Sequence, residues 1–223
     1  MVASINFQAV FFDMDGTLVD TEPYWLQSET ELMAQYGYVW TPDDQRHCLG
    51  GPLPRVGQYM HELAQAETPE FFESELVALV TSKFSGALNF MPGAHELLDE
   101  IRHLGIPLGL VSASPRVLVD ATLSNIGSDV FAVSVSSNDV EKSKPDPESY
   151  LTAASQLNVD ISKSLILEDS LTGISSAQAS GAWVLAVPHI VEVKEGPRTR
   201  VVDSLVDLSL AEISSLFTDR MDA

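Results

Sequence analysis

Cysteine, cationic side chains and long apolar runs are what this 223-residue chain has least of. A lone Cys48 cannot close an internal disulfide, so packing rather than covalent staples must hold the fold together. The first residues, MVASINFQAVFFD, lack the basic start and long apolar run of a secretory signal, and a cytoplasmic address is expected. No stretch approaches the roughly 20 apolar residues of a membrane helix, so no membrane partner is expected. Only 12 Lys and Arg stand against 32 Asp and Glu, a formal net charge of −20. Non-specific nucleic-acid binding depends on cations neutralising phosphates, so nucleic acid is excluded as an expected partner.

What the chain does have is apolar side chains, 45% of the total, and enough length for one domain with a large insertion or for two small ones. Ala9-Val10-Phe11-Phe12 suits a strand buried on both faces of a parallel sheet, and it stops abruptly at Asp13. The pattern repeats: Ile106 to Val111 ends at Ser112, Leu165 to Leu167 ends at Glu168-Asp169, and Trp183 to Val187 ends at Pro188-His189. A shorter alternation, Phe131 to Val135, adds a further strand. Helix-period segments lie between them over Ala94 to His103, Pro115 to Ile126, Asp146 to Leu157 and Ser170 to Ser180. Strand alternating with helix predicts an α/β fold, a Rossmann-like parallel sheet flanked by helices. Ligands of such sheets sit at the carboxyl ends of the strands, where this chain concentrates its polar residues.

One interval breaks the alternation. Residues 22–89 read as amphipathic helices only: Trp25 to Tyr36, Arg55 to Ala66, and Thr68 to Phe84, the last opened by Thr68-Pro69-Glu70 as N-cap, N1 and first-turn acid. An all-helical insertion over 22–89 is therefore expected, with 1–21 and 90–223 forming the α/β core. Crossings near Asp20 to Pro23 and Gly86 to Pro92 read as paired hinges. Beyond His189 a last short strand is expected within Val201 to Leu208 and a helix within Asp207 to Phe217.

Asp13 and Asp15 follow the first strand, and with a side-chain period of two both can face one side while Met14 faces away. Two carboxylates held so close are costly unless a cation lies near or one stays protonated. A hard divalent cation answers that need, and Gly16 lets the backbone wrap a bound group. Asp-Gly-Thr is also ordinary turn composition, so the segment alone leaves a plain surface turn open.

Four segments taken together go further. FFDMDGTLVDTE, Leu110-Val111-Ser112-Ala113-Ser114, Lys142-Ser143-Lys144-Pro145-Asp146-Pro147 and Leu167-Glu168-Asp169-Ser170-Leu171-Thr172-Gly173 resemble, in order, the four motifs of the haloacid dehalogenase superfamily of phosphotransferases. The helical insertion resembles the cap of the branch that holds β-phosphoglucomutase and small sugar-phosphate phosphatases. The resemblance implies a capped, magnesium-dependent phosphatase acting on a small phosphorylated metabolite, a sugar or polyol phosphate. It also implies Mg2+ held by Asp13, the backbone carbonyl of Asp15, and Asp169, with Glu168 in second place. Chemistry assigns matching roles. Hydrolysis of a resistant phosphate monoester calls for a nucleophile, here Asp13, and for a group that protonates the leaving oxygen and then activates water, here Asp15. Lys144, Ser112 and the N–H of Ala113 are expected to bind the phosphoryl group.

Two departures from the branch matter. Ser143 stands where Gly usually precedes the Lys, and Trp25 stands where mutases carry a His five residues after the Asp matching Asp20. A mutase must exclude water from its intermediate and a phosphatase needs it, so Trp25 favours hydrolysis over the alternative of a sugar phosphomutase. Trp25 is a candidate substrate contact, and so are Arg55 and His47, which flank the Gly50-Gly51 turn. Against Trp25 stands packing with Leu32 and Tyr36 in the insertion's own core. A phosphorylatable receiver module, a different class, also uses strand-end acids, but it needs neither the insertion nor an acid at Asp15.

Overall fold

The four apolar residues before Asp13 are all buried, and they alternate between two layers. Val10 and Phe12 join one hydrophobic cluster, Ala9 and Phe11 the other. That alternation builds a central strand, β1 (Val10–Phe12), covered on both faces. The computed structural model describes residues 6–84, 86, 88–188 and 192–218. Among them the sheet adds β2 (Leu108–Val111), β3 (Val133–Val135), β4 (Leu165–Glu168), β5 (Trp183–Ala186) and β6 (Thr199–Val201). All pairings are parallel, in the order β3-β2-β1-β4-β5-β6.

Chain order runs outward from β1 through β2 to β3, then returns to place β4 on the other side of β1. The crevice outside β1 and β4 is the switch point where open α/β sheets bind ligands. Phe12 is level with Leu110 and Leu167. The next residues along, Asp13 and Glu168, therefore leave adjacent strands at the same height.

The core helices are α5 (Ala94–His103), α6 (Arg116–Ile126), α7 (Glu148–Leu157), α8 (Leu171–Ser180) and α9 (Leu210–Thr218). Tyr150, Ala153 and Ala154 of α7 and Ala177 of α8 cover one sheet face. Leu97, Leu98 and Ile101 of α5, Leu118 and Val119 of α6, and Ile213 and Phe217 of α9 cover the other. Between β1 and β2 the chain forms α1 (Glu22–Ala34), α2 (Pro42–Cys48), α3 (Leu53–Ala64) and α4 (Pro69–Lys83). The outgoing and returning crossings of this insertion are tied together: Asp20 N–H donates to Asn89 O at 2.8 Å and Met91 N–H to Leu18 O at 2.9 Å.

Thr68 caps α4 as expected, accepting from Phe71 N–H at 3.2 Å. Helix α2 was not anticipated, although Thr41-Pro42-Asp43-Asp44 spells a capping box: Thr41 accepts from Asp44 N–H while the Asp44 carboxylate accepts from Thr41 N–H. The last strand also differs from expectation, since β6 shares only Val201 with the apolar stretch. Its middle residue is a buried Arg200 whose guanidinium donates to three backbone carbonyls, Leu216, Gly196 and Thr199, which hides the strand from an apolar pattern. His189, one of the two residues that follow the expected strand Trp183 to Val187, lies outside the described residues. No helix among the described residues is long and apolar enough to cross a membrane.

Candidate active site

Asp13 is buried at the end of β1, with its N–H donating to Leu167 O of β4 at 3.1 Å. Lys144 reaches it from the loop before α7. The Lys144 ammonium donates to Asp13 Oδ1 at 2.6 Å, to Glu168 Oε1 at 2.6 Å and to Val111 O at 2.8 Å. An ammonium has three N–H donors, so all three are engaged. Burial alone would depress the Lys144 pKa, but the charges of Asp13 and Glu168 outweigh it and raise the value. Lys144 stays charged.

Glu168 is fully buried and used on both oxygens. Oε1 also accepts from the Tyr150 hydroxyl at 2.8 Å, and Oε2 accepts from Asp169 N–H at 3.2 Å and from the Ser170 N–H and hydroxyl at the start of α8. A carboxylate at a helix N-terminus is favoured by the unpaired N–H groups there. The packing also demands glycine next door, because a Cβ on Gly173 would overlap the Glu168 carboxylate. Gly16 has a related duty: it adopts φ +83°, and a Cβ there would sit 2.5 Å from Asp169 Oδ2. Asp169 accepts from the Thr17 hydroxyl at 3.1 Å.

Asp13, Glu168 and Asp169 each bring a carboxylate oxygen to within 4.8 Å of the other two. Burial, then the neighbouring Glu168, pushes the Asp13 carboxyl well above its ordinary range, with Lys144 pulling it back. Burial and Glu168 lift Asp169 to about 7. With all three ionised, one ammonium would leave two negative charges uncompensated, and burial together with that excess pushes the free carboxyls up. A single divalent cation removes that excess, and a donor set made only of carboxylate oxygens suits a hard ion such as Mg2+. Because both Glu168 oxygens are taken, Asp13 and Asp169 are the acids better able to receive it.

Asp15 lies apart from this cluster in a cradle of hydroxyls. Thr21 donates to Oδ1 at 2.7 Å, Ser114 to Oδ2 at 2.8 Å and Ser112 to Oδ2 at 3.2 Å. The expected phosphoryl ligand Ser112 is thus turned onto Asp15, and Ala113 is exposed on the same loop. Thr17, Thr21, Ser114 and Tyr150 were not singled out from sequence. Ser114 repeats Ser112 at a spacing of two, a signal that was available, whereas nothing local marks Tyr150.

Trp25 is half-buried and packs on the large hydrophobic cluster, in company with Leu32 and Tyr36. Arg55 is exposed; its guanidinium donates to His47 O at 2.7 Å and lies against Gly51. His47 is itself exposed and stacks on the Tyr59 ring at 4.2 Å. Neither reaches the acid cluster, but their turn does approach it, as Gly50 O accepts from the Thr172 hydroxyl in the first turn of α8 at 3.4 Å. Cys48, buried with its thiol pushed up to about 12 by burial and by Glu29, is no nucleophile.

Known proteins resemble this chain in sequence and fold. Protein CbbY of Rhodobacter capsulatus is 30% identical over 225 residues, covering 95% of this chain and 98% of that one. A phosphorylated carbohydrates phosphatase of Thermotoga maritima is 32% identical over 179 residues, 78% of this chain and 82% of the relative. The crystal structure of β-phosphoglucomutase from Clostridium difficile superposes with a TM-score of 0.81, covering 98% of this chain and all of that one, and its 22% identity makes this a likeness of fold. The sequence model of the haloacid dehalogenase-like hydrolases matches residues 10–187, from β1 through the acid cluster to the end of β5, and the chain belongs to that family.

Proposed function

We propose that this hydrolase is a magnesium-dependent phosphatase that cleaves a small phosphorylated sugar or polyol through an aspartyl phosphate on Asp13. The observation that carries the reading is the pairing at the switch point: a buried, cation-oriented carboxylate at Asp13, and two residues on a second acid, Asp15, held separately by three hydroxyls. A phosphorylated carbohydrates phosphatase among the relatives supports the substrate class.

Lys144 fixes Asp13 through Oδ1, which leaves Oδ2 to attack phosphorus in line. The new O–P bond forms as the ester O–P bond breaks, and Asp15 gives its proton to the departing alkoxide. Asp15 then takes a proton from water, which attacks the phosphoryl group and frees phosphate and the Asp13 carboxylate. Hydroxyls rotate, so Thr21, Ser112 and Ser114 can donate to the ionised Asp15 or accept from its protonated form, and one cradle serves both halves of the cycle. Asp13, the Asp15 carbonyl and Asp169 would hold Mg2+, with Glu168 supporting through its neighbours, and the ion would supply positive charge to offset that of the phosphoryl group. One Lys144 donor passes to the transferring phosphoryl group, with Ser112 and the Ala113 N–H beside it. Residues 22–89 act as a cap over a core of 1–21 and 90–223, and the Gly50 to Thr172 bond lies where cap and core meet beside the acids. Trp25, in place of a histidine, leaves the intermediate to water and argues against the mutase; Arg55 borders the same opening.

The test is release of inorganic phosphate from a panel of sugar and polyol phosphates and from p-nitrophenyl phosphate, with magnesium and after chelation. Turnover that stops with chelator and returns with magnesium is expected. No release from any ester, the aryl phosphate included, overturns the reading.

A further inference from the structure

Glu22 opens α1 directly after Thr21, whose hydroxyl donates to Asp15 Oδ1 at 2.7 Å; burial raises the Glu22 carboxyl, the bond from Gln45 lowers it, and the charges of Asp20 and Asp15 raise it again. Its orientation is imposed by α2. Gln45 Nε2 donates to Glu22 Oε1 at 2.5 Å, and Gln45 Oε1 accepts from the Trp40 indole N–H at 3.1 Å. An indole can only donate, so the amide oxygen must face Trp40 and the NH2 must face Glu22. Trp40 is itself buried between the rings of Tyr38 and Tyr59. Glu22 Oε2 receives no hydrogen bond from any described residue.

Among the described residues no cation pairs with Glu22. The insertion carries three, and each is engaged elsewhere: Arg46 with Asp43, Lys83 with Glu31, and Arg55 with His47 O. Asp20 and Glu22, on either side of the Thr21 that holds Asp15, therefore bring acceptors and negative charge next to the acid that serves the leaving oxygen. A leaving group with hydroxyls matches that wall, whereas one bearing a carboxylate is repelled by it.

We propose that Gln45 is a positioning residue that holds Glu22 as an acceptor for a hydroxyl of the leaving group, which makes the substrate the phosphate monoester of a neutral polyhydroxylated alcohol and not of a carboxylated one. This rests on the phosphatase reading above.

The test compares kcat and KM of the magnesium-loaded enzyme on a hexitol phosphate, on phosphoglycolate and on p-nitrophenyl phosphate, which has neither hydroxyls nor a carboxylate. Wild type should prefer the hexitol phosphate to phosphoglycolate by about 100-fold or more in kcat/KM. Gln45→Met, close in shape but without the amide, should lower the ratio of hexitol to aryl phosphate efficiency about tenfold, mainly through KM. Glu22→Gln should narrow the gap to phosphoglycolate by removing the charge, and it decides the matter if Gln45→Met melts early. Equal use of hexitol phosphate and phosphoglycolate by wild type overturns the proposal. So does an equal loss on hexitol and aryl phosphate in Gln45→Met with an unchanged melting curve, or a Glu22→Gln enzyme with the wild-type preference. Failure to release phosphate from all three esters overturns instead the phosphatase reading, and this proposal with it.

Discussion

Asp13, Glu168 and Asp169 at the strand ends and Glu22 and Glu29 in the inserted helices are all carboxylates withdrawn from water, yet only the first group is given a cation. Lys144 makes ion pairs with two of the three core acids and is almost fully buried with them. In the insertion Glu29 is 3% exposed and its Oε2 has no hydrogen-bond partner. Burial, then the charge of Glu22, lifts the Glu29 carboxyl to about 7. A charge in a low-dielectric interior must be paired or suppressed. The core pairs its charges and leaves an excess that a divalent ion can take up, which is what phosphoryl chemistry requires. The insertion instead suppresses the charge of its most deeply buried acid, Glu29.

Removing the core cation tests the first half of that contrast with the largest stability effect. Lys144→Met should cost about 3 to 5 kcal/mol in urea unfolding with chelator present, because it strands buried acids without a partner. Magnesium at 100 times its dissociation constant should return about 2.7 kcal/mol if it binds only the folded chain. A variant as stable as wild type would show that the ammonium is not what offsets the buried acids.

Removing the insertion's charge should have the opposite sign and a smaller size. Glu29 has a folded pKa near 7 against an ordinary value of 4.5, so the folded chain holds a proton that the unfolded chain releases. Its contribution is fully present below about pH 4.5 and is lost as pH rises to about 7, a loss of up to about 3 kcal/mol. Glu29→Gln should therefore be more stable than wild type at pH 8 by up to that amount, and the difference should shrink towards pH 4.5. Unfolding curves at the two pH values check it; equal pH slopes for the two proteins would contradict the suppressed charge.

The parts legible in sequence were those with a local signature. Apolar runs that stop at Asp13, Ser112 and Glu168 announce strand ends, and Gly173 three residues after Ser170 announces the helix that follows. Side chains meeting across distant segments carry no such mark. Gln45 lies 23 residues from Glu22, and Tyr150 belongs to a helix face while its hydroxyl serves Glu168. Helix α2 escaped because its seven residues are mostly polar, leaving only its capping box to see. Strand β6 escaped because Arg200 interrupts its apolar pattern while sending its guanidinium to backbone carbonyls.

Covalent capture on Asp13 is the most direct test. Wild type, Asp13→Asn and Asp15→Asn would be mixed with magnesium and p-nitrophenyl phosphate, quenched in acid within one turnover, and weighed as intact proteins. The aryl leaving group needs little protonation, so Asp15→Asn should still form the acyl phosphate, fail to activate water and accumulate one phosphoryl group, while its steady turnover falls about 100- to 10,000-fold. Asp13→Asn should carry none and should not turn over. Phosphoryl mass on Asp13→Asn, turnover by that variant, or an Asp15→Asn enzyme that never accumulates the adduct would contradict a nucleophile at Asp13 served by an acid and base at Asp15.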